Sequence, residues 1–490
     1  MTVGTMKLEN AWIPYGRYWS SPFARWQGML AEEHALSLAA SCARRFLDDA
    51  KVAADAIDGF ALGVTVPQRQ GFYGAPWVAG MAGLPHLDGP TLSQACATSV
   101  ATLAFAARAV ELGERACFLA VTADRTSNGP LVYYPSRTGP GGKGVAEDPV
   151  LDSFGHDPFA KLSMTETAEN VARAAGITRE QQDEVALMRH AQYAKALEGE
   201  RAFQRKYLLP VEGKAGKKTW RLESDEGVHP ATREGMAALK PVVDGGTVTY
   251  GAQTHPADGN AGMIVTTRER AQALSKDAKL AVRVVSFGAA RVEKGFMPKA
   301  PVPAARQALE RAGIGVGELK AVKTHNPFAV NDVYFARELG FPVERMNNFG
   351  CSLVYGHPQG PTGMRGVIEV IEELALAGGG WGLFSGCADG RGRGHVARRR
   401  AHRRRDAGHR GLVEALGQRE ARAQRSVVGE VRRLALALRV DGGAHAHAQG
   451  EPATGHHDEP SPSGGEPGEQ RGVGGLAGQI AHGQERHDER

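Results

Sequence analysis

The chain has 490 residues, of which 42% are hydrophobic and 23% are charged, an ordinary composition for a folded protein of two or three domains. No apolar run approaches the roughly 18 residues that a membrane helix needs, and the N-terminus lacks the residue order of a signal peptide. We therefore expect a cytoplasmic protein. Five scattered cysteines without CxxC spacing argue against a disulfide frame or a structural zinc site.

The first predicted region comprises residues 1–126 together with 246–279 and alternates helical and strand-like segments. In chain order we predict a helix at 34–50, strands at 56–64 and 90–94, a helix at 99–112 and a strand at 116–123. This alternation is typical of a layered α/β domain with a largely parallel sheet.

Residues 127–245 interrupt that region with Gly- and Pro-containing loops such as GPGGKG. One amphipathic helix is predicted in ITREQQDEVALMRHAQYAKAL, with Thr178 as its N-cap and Gln181 completing a capping box. We interpret this segment as an inserted loop domain that binds substrate.

Residues 280–390 repeat the plan of the first region. The predicted elements are strands at 281–287, 321–324 and 382–385, and helices at 303–312, 330–339 and 362–377. Two similar halves in one chain suggest a duplicated fold.

The composition changes abruptly at Arg391. From there on the chain has 18 Arg, 18 Gly and 9 of the 17 His, but no Lys, Asn, Phe, Tyr, Trp, Met or Cys. GC-rich DNA translated out of frame gives such a composition, which favours a frameshift near Gly390; the alternative is a natural, disordered basic extension. We predict that residues 391–490 are disordered and form no stable layer on the body. A nucleic-acid-binding arm is disfavoured because Lys and interleaved aromatic residues are absent.

Cys96 stands between a predicted strand and a predicted helix in SQACATS. A thiol near a helix N-terminus has its pKa lowered from about 8.5 toward neutrality, as a nucleophile requires. The alternative is a small buried core cysteine.

Three further residues lie at strand-to-loop junctions. His357 lies in YGHPQG, where Gly and Pro favour a tight turn before a helix, and His325 follows an apolar strand in KTHNPF. Cys387 follows the strand WGLFSG, and catalytic groups favour such strand ends in α/β proteins. Each alone could be structural, but two cysteines and two histidines at such junctions favour a catalytic site.

These segments resemble the thiolases, the acetyl-CoA acetyltransferases and 3-ketoacyl-CoA thiolases. The order is similar: a Cys before a helix, an HNPF loop, GHP before a second helix, and a Cys after the last strand. MTETAENVA, GTVTYGAQT and MPKAPVPAARQAL match as well, and the resemblance covers about residues 8–390. It implies duplicated βαβαβ halves in a layered αβαβα arrangement with an inserted loop domain.

The resemblance also implies roles. Cys96 would be acylated, His357 would activate its thiol, and Cys387 would move the proton at the α-carbon of acetyl-CoA. His357 and His325 would form one oxyanion hole, and the backbone N–H groups of Cys96 and Asp389 the other. His325 stands where biosynthetic thiolases usually carry Asn, and Asp389 where the family usually carries Gly. Substrate and coenzyme A binding is assigned, by the same resemblance, to Met164, Thr254, Phe328 and His229.

The predicted function is that of an acyl-CoA C-acetyltransferase that forms or cleaves 3-ketoacyl-CoA through an acyl-cysteine. Coenzyme A and acyl-CoA would be substrates, with no metal, no tightly bound cofactor, no nucleic-acid or membrane partner, and a homodimer or homotetramer as the assembly. A catalytically impaired thiolase-like protein is one alternative, because RGRGHVARRR cannot form the family's final apolar strand. A ketoacyl-synthase-type condensing enzyme is another, which the second cysteine disfavours.

Overall fold

The computed structural model describes residues 7–215, 217–386 and 435–441. Its strands are β1 Trp12–Pro14, β2 Tyr18–Ser20, β3 Ala24–Arg25, β4 Gly59–Gly63, β5 Thr91–Leu92, β6 Cys117–Arg125, β7 Val132–Tyr134, β8 Val145–Glu147, β9 Val211–Ala215, β10 Lys218–Leu222, β11 Ala257–Thr266, β12 Ala281–Gly288, β13 Leu319–His325, β14 Gly379–Gly386 and β15 Ala435–Asp441. Its helices are α1 Ala35–Asp49, α2 Ala75–Met81, α3 Thr98–Glu111, α4 Leu151–Gly155, α5 Met164–Ala175, α6 Arg179–Arg201, α7 Arg233–Ala238, α8 Arg268–Leu274, α9 Pro301–Ala312, α10 Ala329–Leu339, α11 Ser352–Tyr355 and α12 Gly360–Leu376. Within these ranges no helix has the length and apolar character needed to cross a bilayer.

One mixed sheet joins the two halves. Its strand order is β13-β14-β15-β12-β1-β11-β6-β4-β5, with β2 and β3 also paired to β11. The pairs β13–β14, β4–β6 and β4–β5 are parallel, whereas β11 and β15 are antiparallel to their neighbours. The short strand β1 connects the halves, because Trp12 is paired both with Thr266 of β11 and with Arg283 of β12.

Successive side chains of a strand point to opposite faces of the sheet, so they pack against different helices. On β6, Phe118 and Ala120 share a core cluster with α3 and α12, while Leu119 and Val121 share one with α1. At the other end of the sheet, α12 packs against β13 and β14, and α9 packs against β12, β14 and β15. Helices α3 and α12 also contact each other, so they form a central layer between the two ends of the sheet.

The predicted elements of both halves are present, with ends that shift by a few residues. The predicted capping box of α6 is confirmed: the Thr178 hydroxyl accepts from the backbone N–H of Gln181, and Gln181 Oε1 accepts from the N–H of Thr178 at 3.0 Å. The two halves also share a plan, since Cys96 precedes α3 and His357 precedes α12.

Strand β15 corrects one prediction about the segment 391–490. The expectation that nothing in it packs on the body is wrong for residues 435–441, which lie between β14 and β12 and are antiparallel to both. Leu436, Leu438 and Val440 are at most 1% exposed. The reason is physical: ALALRV has the apolar alternation of a strand, and without it the backbones of β12 and β14 would be unpaired inside the core. The other residues of that segment lie outside the described ranges.

Leu438→Ala should lower the free energy of unfolding by about 2–5 kcal/mol, because it removes a fully buried side chain from the centre of the sheet. Arg439→Ala, at an exposed position of the same strand, is the matched control and should cost less than about 1 kcal/mol. Urea unfolding followed by circular dichroism measures both. Equal effects would show that β15 does not occupy this position.

Candidate active site

Cys96 lies in a tight turn that begins helix α3. Its predecessor Ala95 has a left-handed φ of 44°, a conformation that costs a non-glycine residue about 1–2 kcal/mol. The turn is held by Thr98, whose hydroxyl accepts from the Gln94 N–H at 2.8 Å and donates to the Ala95 carbonyl at 2.7 Å. Cys96 is half-buried, so its thiol is held in place and remains accessible.

His357 reaches the thiol from the opposite half of the molecule. Its Nε2 lies 3.2 Å from Cys96 Sγ, and its Nδ1 lies 2.7 Å from the hydroxyl of Thr362 in α12. With Thr362 accepting from Nδ1–H, the Nε2 lone pair faces the thiol. Burial and the neighbouring imidazole of His325 hold the pKa of His357 well below its usual 6.5. The imidazole is therefore neutral at neutral pH and able to accept a proton.

His325 stacks on His357, with ring centroids 3.9 Å apart and planes inclined by 24°. Its Nδ1 lies 3.0 Å from the hydroxyl of Ser352, and among the described residues its buried Nε2 has no hydrogen-bond partner. When Ser352 donates its hydroxyl proton to Nδ1, the ring proton of His325 is on Nε2, and Nε2–H can donate to an oxyanion. Asn326 does not share this task, because its amide donates to Asp332 at 2.9 Å.

A cavity of about 370 Å³ opens onto Cys96 and His357. It is lined by Met164, Thr254 and Phe328, the three residues that the family resemblance assigns to the substrate channel. Further lining comes from Pro149, Val150, Phe154 and Met297, so the surface of the cavity as a whole is largely apolar. Such a mixture suits an acyl chain and a thioester better than a highly charged group.

Three further site residues were predicted from the sequence, namely His229, Cys387 and Asp389. His229 is exposed and outside its lining; it lies close enough to His190 and His255 to help burial lower the pKa of each. Cys387 and Asp389 lie outside the described ranges. Gly386, the residue before Cys387, is paired in register with His325 on β13.

Asp124 is a site residue that sequence reasoning missed. Its buried carboxylate accepts from the N–H and hydroxyl of Thr65, from the N–H of Val66, and from the N–H of Gly360 at the start of α12. Burial raises the pKa of Asp124 to about 7. Asp124 thereby joins the cavity wall at Thr65 to the helix that follows His357; its only sequence signal is an acid at the end of the apolar strand β6.

Helix α12 is also held by buried charges. The Arg365 guanidinium pairs with both oxygens of Asp225 at 2.6 and 2.8 Å and with Glu369 at 3.0 Å. Glu369 in turn accepts from Lys323 at 2.7 Å. Two positive and two negative groups thus balance in the interior, and Asp225 links the inserted segment to α12.

Comparison with known families agrees with this geometry. The thiolase N-terminal domain matches residues 19–269, and the thiolase C-terminal domain matches residues 278–399. The chain belongs to the thiolase family. This confirms the resemblance and the predicted fold class, and it identifies the protein as a thiolase-type acyltransferase.

Relatives of this thiolase are similar over most of their length. The beta-ketothiolase BktB of Cupriavidus necator is 31% identical over 74% of this chain and 92% of its own. The 3-ketoacyl-CoA thiolase of Bacillus subtilis is 30% identical over 74% of this chain and 93% of its own. The crystal structure of the Bacillus anthracis acetyl-CoA acetyltransferase has a TM-score of 0.73 at 25% identity, covering 89% of this chain and 99% of that one. A human mitochondrial 3-ketoacyl-CoA thiolase in complex with CoA shares the fold, with a TM-score of 0.72, 21% identity and the same coverage.

The neighbouring imidazole of His325 contributes to the low pKa of His357, so His325→Asn should raise that pKa. Protonated His357 cannot accept the thiol proton, so alkylation of Cys96 should slow as the pH falls through the pKa of His357. In the wild-type protein this acid limb is expected below pH 6.5, and in the variant it should move to higher pH. Iodoacetamide labelling across about pH 5–8 with peptide mapping measures it. His86→Asn, an exposed control, should leave the limb in place; an unmoved limb in His325→Asn would contradict the coupling.

Proposed function

We propose that this thiolase forms or cleaves 3-ketoacyl-CoA through an acyl group carried on Cys96. The observation that supports this most directly is the 3.2 Å contact between His357 Nε2 and Cys96 Sγ, at the base of the cavity. A neutral imidazole beside a thiol is the arrangement that activates a cysteine nucleophile.

In the first half-reaction, His357 accepts the Cys96 proton and the thiolate attacks the thioester carbon of an acyl-CoA. The carbon–sulfur bond to coenzyme A breaks, and the departing thiolate takes the proton from His357. The turn around the strained Ala95 holds the thiol in place for this attack, and Thr362 holds the imidazole. The product is an acyl-Cys96 thioester and free coenzyme A.

In the second half-reaction, Cys387 removes a proton from the α-carbon of acetyl-CoA, as the family resemblance implies. The resulting carbanion attacks the acyl carbon on Cys96, and the thiolate of Cys96 leaves. Negative charge develops on a thioester oxygen, where His325 Nε2–H, which has no hydrogen-bond partner among the described residues, would stabilise it. Thiolysis is the same sequence in reverse.

The partners follow from this chemistry. Coenzyme A and acyl-CoA enter as substrates through the channel at Met164, Thr254 and Phe328, with no metal or tightly bound cofactor required for either half-reaction. His229, exposed in the inserted segment, would contact the nucleotide end of coenzyme A. We propose that the protein is cytoplasmic. We further propose that it assembles as a homodimer or homotetramer, as the family resemblance implies.

Brief incubation with radiolabelled acetyl-CoA should place the acetyl group on Cys96, because that thiol lies beside His357. Peptide mapping after acid quench identifies the labelled residue, and Cys96→Ser should show no label there. Label on the buried Cys351 or on Cys387 in the wild-type protein would overturn the assignment.

Cys387→Ala should abolish condensation and acetoacetyl-CoA thiolysis, while Cys96 should still become acetylated, since only the carbon–carbon step needs a base at the α-carbon. Coenzyme A release measures the first half-reaction, and acetoacetyl-CoA absorbance measures the second. Equal loss of both would assign a structural role to Cys387. A wild-type protein that acetylates Cys96 but never forms or cleaves acetoacetyl-CoA would favour the impaired alternative.

A further inference from the structure

The thiol and the two histidines of the site form a cluster of potential metal ligands. One ligand atom from each of Cys96, His325 and His357 lies within 4.8 Å of the others. Among the described residues, no other group of three or more His, Cys, Asp or Glu side chains meets this condition. We propose that these three residues bind a thiophilic divalent cation, with zinc as the best-suited ion, and that the bound ion inhibits the enzyme.

The spacing fits such an ion after a small movement. Zinc binds thiolate sulfur at about 2.3 Å and imidazole nitrogen at about 2.0–2.1 Å in a tetrahedron, which places ligand atoms roughly 3.4–3.6 Å apart. The distance from His357 Nε2 to Cys96 Sγ is already 3.2 Å. Since all three ligand atoms lie within 4.8 Å of one another, the most distant pair would close by about 1.4 Å at most. Rotation of the two stacked imidazoles would provide that movement and would also turn both Nε2 lone pairs toward the ion.

The chemistry of the three groups matches the ion. Thiolate and imidazole are ligands that zinc prefers, whereas the oxygen ligands that calcium and magnesium prefer are absent from these three residues. His325 Nε2 is buried and has no partner among the described residues, so a metal bond there would satisfy a nitrogen that is otherwise left without one. In the metal-bound form the hydroxyl of Ser352, 3.0 Å from His325 Nδ1, would accept from Nδ1–H and orient the ring, as hydrogen-bond partners of metal-bound histidines do.

The ion has a route in and a clear effect. Cys96 and His357 both line the cavity, so a hydrated ion reaches them from solvent, and the cavity leaves a fourth position for water. Binding would occupy the nucleophile, its base and the oxyanion donor together. It would therefore compete with acyl-CoA, while the proposed acyl transfer requires no metal.

The test follows Cys96 directly, because nine histidines after Arg391 make total zinc uptake uninformative. Full-length protein is titrated with zinc, and the alkylation of Cys96 by iodoacetamide is measured by peptide mapping with and without the ion. Zinc should protect Cys96, and cobalt(II) should give a thiolate-to-metal charge-transfer absorption that disappears in Cys96→Ser. Each variant is compared with itself in the absence of metal, so a changed thiol reactivity does not enter the result.

His325→Asn keeps the thiol and His357 but removes one ligand, and should raise the half-protecting zinc concentration at least about 10-fold. His325→Gln serves as a second variant if Asn fails to fold, and His86→Asn is the control that should not change the value. Protection of His325→Asn at the wild-type concentration, or no protection of the wild-type protein at any soluble zinc concentration, would overturn the proposal. Both readouts are independent of turnover, so they stand apart from the proposed acyl transfer.

Discussion

The burial of helix α12 is the constraint on which the rest of the structure depends. Every residue from Gly360 to Leu374 is buried, although the stretch carries Arg365, Glu369 and Glu372. An unpaired charge inside a protein costs several kcal/mol, so each of these groups must find a partner. The partners come from the inserted segment, from β13 and from tyrosines near β1 and β2. One helix thus holds three distant parts of the chain in fixed positions.

The geometry of the active site follows from that helix. His357 lies three residues before α12 and bonds to Thr362 within it, while Cys96 lies two residues before α3, which packs on α12. The distance between thiol and imidazole is therefore set by helix packing and not by the loops that carry the residues. Asp124 adds a tie from β6 to the first residue of α12. Each half of the duplicated fold supplies one reacting group, and the packed helices bring them together.

Sequence patterns predicted the elements of this fold well because their signals are local. The capping box at Thr178 and the Gly and Pro residues around His357 lie within a few residues of what they specify. The stacking of His325 on His357 and the pairing of Asp225 with Arg365 join residues far apart in the chain. The periodicity of the sequence therefore cannot predict either contact. Strand β15 was missed for a related reason. ALALRV is short, lies in a segment of unusual composition, and is a strand because it pairs with the edges of β12 and β14.

The position of β15 has a consequence for how the protein folds during synthesis. Strands β12 and β14 emerge from the ribosome before the strand that separates them, which follows only after residues 387–434. Until then, two apolar edges in the centre of the sheet lack their neighbour, and such edges recruit strands from other chains. Closure of the sheet waits for a contact between segments far apart in sequence, which slows folding. We therefore expect the chain to depend most on chaperones, and to be most prone to misfolding at raised temperature, in the final stage of its translation.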